Sequence, residues 1–245
     1  MSCASMKFPL IDLNNLGEND SPRWESTKIQ IREALQEYGC FEATFNNIIP
    51  FELRKSVGDG IRQLFDLPLA IKLLNSSHKP LHGYIAQNNF GPLMESMGID
   101  GALSSHVVDT FANLMWPDQG NPTFRYTVIQ DIQLYCEKLS ELDKIVRRMV
   151  VESLGLEKYI DEHLNSTNYL CRFQKVVVSG DEARYTIGLF SIPKEGCVIK
   201  TPEELVNKDH PLLYKPFDYY KFIDFIYTDA AGRSSPDPLK EYCEA

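Results

Sequence analysis

Metal-binding spacing is what this sequence most conspicuously lacks. Its five histidines include none in an H-x-D or H-x-E, the interval that sets two ligands on one face of a strand. His78 and His82 are four apart, but Pro80 interrupts the helix that would bring them together. His106, His163 and His210 stand alone and read as structural or solvated positions. The six cysteines (Cys3, Cys40, Cys136, Cys171, Cys197, Cys243) contain no C-x-x-C. That excludes a zinc-knuckle pattern and a compact disulfide framework, leaving reduced structural thiols. Positive charge is scarce as well: 25 Lys and Arg face 34 Asp and Glu, for a net charge of -9. Such a balance argues against nucleic acid or an anionic membrane surface as partner. No apolar run reaches bilayer length, and Met1 to Leu13 lacks the basic-then-apolar order of a secretory leader, so a cytoplasmic location is expected.

What is present suits a globular protein with a substantial core, with 43% hydrophobic and 11% aromatic residues. Phe8 to Leu13 reads as a short strand. Ser21-Pro22 supplies an N-cap and a first-turn proline for a helix that Gly39 ends. Cys40 to Thr44 reads as a second strand. Leu53, Val57, Ile61, Leu64 and Phe65 then mark one face of a helix stopped at Pro68. From Asn75 to Gly120, Gly, Pro, Asn and Ser predict an irregular connection with short elements. The longest helix is predicted over Thr123–Leu154, with a stripe through Val128, Ile132, Tyr135, Leu139, Leu142, Val146, Met149 and Val150, and Gly155 as its cap. Another short helix fits Glu157 to Leu164. Tyr169–Val178 and Arg184–Ile192 form a hairpin signal around Ser179-Gly180-Asp181-Glu182. Thr201-Pro202-Glu203-Glu204 has the form of a capping box, and a last helix carries Phe222, Ile223 and Ile226 before a polar tail. Helices come first and strands late, which predicts an α+β chain with regions 1–120 and 121–245.

Arg184 and Thr186 lie two apart on the second hairpin strand, so both face the same side. A guanidinium fork beside a hydroxyl suits a carboxylate clamp, although R-x-S/T alone is common. Five further segments give the pair a setting: Pro9-Leu10-Ile11-Asp12-Leu13, Tyr38-Gly39-Cys40-Phe41, Leu64-Phe65-Asp66-Leu67-Pro68, His82-Gly83-Tyr84 and Met115-Trp116-Pro117. In this order they resemble the plant 2-oxoglutarate- and Fe(II)-dependent dioxygenases. Pro92 to Ile99 and Glu157 to Thr167 resemble the glucosinolate side-chain branch, the alkenyl- and hydroxyalkyl-producing type.

The resemblance implies a double-stranded β-helix (jelly roll) flanked by helices, an iron held by two His and one carboxylate, and 2-oxoglutarate gripped by Arg184 and Thr186. It also implies a small plant metabolite as substrate. Against that pattern a segment is missing. Lys175 runs directly into Val176-Val177-Val178, which resembles the stretch just after the family's distal metal-binding His, and Gln174 stands where that His belongs. The expectation is therefore a truncated β-helix remnant with no catalytic residue and no metal ligand. Fe(II) and 2-oxoglutarate belong to the family, and this chain is expected to bind neither. An internal deletion, a splice form and a faulty gene model would all produce this join. The competing reading is a non-catalytic remnant that binds a small molecule or a protein partner. A hairpin that cannot close a barrel is also expected to leave open strand edges, to uncover Leu139, Leu142, Val146 and Met149, and to favour self-association.

Overall fold

The computed structural model describes residues 7–86, 93–117, 122–179 and 182–244. The chain opens with β1 (Leu10–Asp12), α1 (Pro22–Tyr38), β2 (Glu42–Thr44), α2 (Phe51–Asp66) and α3 (Leu69–Lys72). It continues through β3 (Ile85–Ala86), β4 (Met94–Asp100), α4 (Ser105–Met115), α5 (Pro122–Ser153) and α6 (Ile160–Asn165). The hairpin β5 (Thr167–Ser179) and β6 (Glu182–Pro193) comes next. The chain then ends in β7 (Val198–Ile199), β8 (Phe217–Asp218), α7 (Tyr219–Thr228), α8 (Ala230–Ser234) and α9 (Pro238–Cys243). An α+β assignment stands.

Local chemistry sets the helix ends where the sequence suggests. Ser21 Oγ accepts the Trp24 amide at 3.1 Å, and Gly39 leaves α1 at φ 70°. Gly155, at φ 70°, ends α5 in a Schellman arrangement: its amide reaches Glu152 O and the Leu156 amide reaches Val151 O. Between its ends α5 runs 32 residues, about 48 Å, and serves as the spine. Its first half (Val128, Ile132, Cys136) packs into the main core with Val57, Ile61 and Leu64 of α2. Its second half (Leu142, Met149) packs with Ile11, Leu13, Trp24 and Ile31.

Three corrections concern the strands and the tail. The stretch expected to be an irregular connection with short elements carries a seven-residue strand, β4, and an eleven-residue helix, α4. β4 is one of the two inner strands of an antiparallel sheet ordered β3-β4-β5-β6, and its Met97 and Ile99 find cover on the helices despite a turn-rich neighbourhood. Some of that stretch lies outside the described residues, as does the centre of the hairpin turn. The capping box does not form: Pro202 precedes a single 3₁₀ turn at Glu203–Leu205 with no side-chain cap. The tail folds as α8 and α9, started by Asp229 and Asp237 accepting amides.

The expected loss of cover for the helical stripes is contradicted. β5 pairs with β4 and β6 so that Cys171 and Phe173 share a face with Met97, Ile99, Ile187 and Leu189. That face lies on α2, α4 and α5, with Cys171, Phe173 and Met97 all fully buried. Leu142 and Met149 are buried, and Leu139 and Val146 pack against the two cores. The hairpin is further tied to α5 by Tyr169 and Ser191, whose hydroxyls donate to Asp143 at 2.8 and 2.6 Å. β6 is the terminal strand of its sheet, bonded to β5 alone.

A buried ion pair anchors the start of β4. Lys72, 6% exposed, donates to Glu95 at 2.6 Å, and the Tyr84 hydroxyl donates to the same carboxylate. Burial pushes the Glu95 carboxyl up, but the bonds from Lys72 and Tyr84 outweigh it and hold it below its ordinary 4.5. A lowered folded value contributes stability that is present above 4.5 and lost as pH falls through the folded value. Lys72→Met should cost up to about 3–5 kcal/mol at neutral pH, because it leaves the Glu95 charge only the Tyr84 hydroxyl and a longer contact of 3.7 Å to Lys175, and Glu95→Leu added to it should recover much of that loss. The single variant's deficit should shrink in acid, where Glu95 protonates. Urea unfolding at neutral and acid pH checks both, and a deficit that does not change with pH would contradict the assignment.

Candidate functional site

Strand alternation gives the sheet a second face, turned away from the helix bundle. Registers place Ser96 and Gly98 of β4, Leu170, Arg172 and Gln174 of β5, and Arg184, Thr186 and Gly188 of β6 on it. Arg184 lies opposite Val176 and Thr186 opposite Gln174, so the two clamp residues do share a side. Arg184 is exposed. Thr186 is half-buried, and its hydroxyl donates to the Gln174 amide oxygen at 3.3 Å. Gln174, which the sequence reading sets in the place of a distal histidine, thus takes up the Thr186 hydroxyl.

The histidines do not converge on this face. Buried His82 sets Nδ1 2.8 Å from the Pro80 carbonyl and lies under the Tyr220 ring. His163 accepts from Arg147 at 3.2 Å, and burial, then the Arg147 charge, pushes its imidazole down. His210 turns back on Asn207, 3.3 Å away. Asp100 of β4 is held by Asn168 at 2.7 Å and Lys79 at 2.8 Å. Among the described residues, no three of His, Cys, Asp and Glu lie close enough to hold a metal ion. The donor set on the clamp face, which is amide, hydroxyl and guanidinium, does not fit Fe(II). Guanidinium has no lone pair to give, and the other two are weak ligands without an accompanying carboxylate or imidazole.

Sequence reasoning missed Arg172. It is 6% exposed, its Nη2 donates to Ser96 Oγ, and its Nη1 is buried with no hydrogen-bond partner. Burial pushes this guanidinium below its ordinary value. The alternation of Leu170, Arg172 and Gln174 is a signal, but it gains meaning only once β4 is known to be the neighbouring strand, whose Ser96 accepts from Arg172. A cavity of about 560 Å³ lies elsewhere, beside Thr167, Asn168 and Lys194 at the opposite end of the hairpin from Arg184.

Comparison with known proteins covers nearly the whole chain. Residues 8–92 match the family model described as the N-terminal region of non-haem dioxygenases, of the type found in morphine synthesis. The chain is 34% identical over 318 aligned positions to a probable 2-oxoglutarate-dependent dioxygenase, AOP1.2, of Arabidopsis thaliana, covering 97% of this chain and 96% of that protein. Those 318 positions exceed the 245 residues present, so the alignment opens gaps in this chain. A probable inactive 2-oxoglutarate-dependent dioxygenase, AOP2, of the same plant is 41% identical over 171 residues, covering 69% of this chain and 41% of that protein. Among solved structures, JOX2 in complex with 2OG, Fe and JA superposes with a TM-score of 0.74 at 18% identity, covering 98% of this chain and 90% of that one.

Gly98 offers a direct check on how this face is assembled. A Cβ there would stand 2.2 Å from the His82 carbonyl oxygen, so the loop bearing His82 is seated on β4 through the missing side chain. Gly98→Ala should lower stability by on the order of 1–3 kcal/mol, seen as a lower urea midpoint at unchanged slope. An unchanged midpoint would show that the loop does not rest there.

Proposed function

The chain belongs to the 2-oxoglutarate-dependent dioxygenase family, and from that premise we propose that in its present form it neither holds Fe(II) nor turns over 2-oxoglutarate. One observation supports this reading: Gln174, which the resemblance sets where the family's distal metal-binding His belongs, is paired with and bonded to Thr186, and no group of His, Cys, Asp and Glu that could hold a metal ion is found among the described residues. The gapped alignment and the direct join of Lys175 to Val176 support loss of an internal segment. The AOP2 relative, named as probably inactive, is a hint in the same direction. The lineage is that of an oxidoreductase acting on a small plant metabolite, and a cytoplasmic location is part of the same proposal.

Anaerobic titration with Fe(II) and 2-oxoglutarate is expected to give no visible charge-transfer band and no succinate. A stoichiometric band would sink the reading. Restoring the gap supplies the positive control. With the corresponding segment of AOP1.2 placed between Lys175 and Val176, 2-oxoglutarate consumption should appear. Arg184→Ala in that graft should raise KM for 2-oxoglutarate by about ten-fold or more, the effect of one charge-assisted pair. A well-folded but inactive graft would mean that the flanks have lost function too.

The open edge of β6, 12 residues long, supports a second element of the proposal, self-association. The accessible surface is 15086 Å², against roughly 11,100 Å² typical of a compact 28.0 kDa monomer. Sedimentation should show a dimer or larger species at micromolar concentration. A monomer at every concentration would remove this element.

A further inference from the structure

We propose that the cavity at the base of the β5–β6 hairpin binds a small sugar phosphate, with Lys144 and Lys194 holding the phosphate and Asp161 and Asn165 the sugar. This goes beyond the loss of iron and does not depend on it, since the cavity lies at the opposite end of the hairpin from Arg184 and Thr186.

The cavity holds about 560 Å³, within the range of small-molecule sites. Its walls come from separate parts of the chain: the turn before α4, then α5, α6, the start of β5 and the residue after β6. Lys144 stands on α5 and Lys194 just beyond β6, so the fold brings two ammonium groups to one space. Neither has an ion-pair or hydrogen-bond partner for its ammonium among the described residues, whereas Lys79 and Lys175 are both paired with carboxylates. Against these two cations the lining sets one carboxylate, Asp161, which leaves a local positive excess in a chain whose net charge is -9. Lysine meets an anion as a point charge and not as a planar fork, which suits the tetrahedral oxygens of a phosphate.

The rest of the wall indicates what the phosphate is attached to. Asp161 would repel a second anionic group, so the far end of the ligand must be neutral and must donate hydrogen bonds to the carboxylate. Hydroxyl groups meet that demand. Asn165 lies four residues after Asp161 in α6, on the same helical face, and its amide both donates to and accepts from hydroxyls. Neither side chain has a partner among the described residues, so both are free for a ligand. Leu103 and Leu164 add apolar surface for the C–H face of a sugar ring. The two lysines are exposed, so the attraction is screened and should weaken as salt is raised.

Calorimetric titration of the full chain with glucose-6-phosphate tests the site, with glucose and inorganic phosphate as parallel probes at matched ionic strength. One saturable site for glucose-6-phosphate is expected, with inorganic phosphate at least about ten-fold weaker and no saturable heat from glucose. Lys144→Met and Lys194→Met should each weaken glucose-6-phosphate by about ten-fold, the effect of one charge-assisted bond, while Arg184→Ala leaves it unchanged. Asp161→Ala should narrow the preference for glucose-6-phosphate over inorganic phosphate, a ratio that a merely structural role would not move. Both lysines are exposed and unpaired, so neither substitution should change the melting temperature. If either variant does not fold, NMR of the wild-type chain decides: glucose-6-phosphate should shift the backbone amides of Thr167 and Tyr169, and unmoved signals would overturn the site. No saturable heat with glucose-6-phosphate, binding that survives both lysine substitutions, or loss of binding in Arg184→Ala would overturn the proposal. Inorganic phosphate bound as tightly as the sugar phosphate would mean an adventitious ion only, and saturable glucose binding would overturn the role of the lysines. None of these results bears on the Fe(II) titration, so the two readings fail separately.

Discussion

The structure depends on β5 continuing without interruption through Lys175 and Val176. Register with β4 and β6 is unbroken from Leu170 to Val176, and the first irregularity falls between Val177 and Ser179. Because side chains alternate, a shift of one residue at the join would have turned Cys171 and Phe173 away from the helices or turned Ile187 and Leu189 out. Instead both sides of the join present the same face inward. Fully burying each such apolar side chain contributes on the order of 1.5–3 kcal/mol, which is enough to hold this sheet on the helical layer.

The same continuity explains why the two faces of the sheet differ. The inward face inherits the packing that a helical layer demands and meets α2, α4 and α5. The outward face keeps polar groups, Ser96, Arg172, Gln174 and Thr186, that suit a lined chamber. Beside it, the C-terminal elements meet the loop before β3 through the Tyr220 ring. His82 packs on Tyr220, and Lys79 lies 5.2 Å from the same ring. Lys79 also pairs with Asp100 and Glu195, which links β4 to the segment after β6.

Much of the fold was legible because its signals are local. Ser21-Pro22, Gly39 and Gly155 act through their own backbone geometry, and the stripe of α5 repeats at helical spacing over 32 residues. β4 was not legible. Gly98 is a poor strand former by itself, and it is required there because the His82 carbonyl approaches within the space of a Cβ, a constraint set far away in sequence. That Arg184 and Thr186 share a face was legible from spacing, whereas the burial of Arg172 was not, because it comes from elements that are distant in the chain. The expected exposure of Leu142 and Met149 failed for a related reason. Their cover comes from α1 and from Ile11 and Leu13 in and just after β1, and these lie outside the barrel region.

The chain across Lys175–Val176 is a continuous strand, paired on both sides. Site-resolved amide hydrogen exchange tests it most directly. The account predicts that sheet-bonded amides from Arg172 through Val177 exchange only with global unfolding, as slowly as those of α5 around Ile132. Protection that ends at Lys175, with Val176 and Val177 exchanging like free peptide, would contradict it.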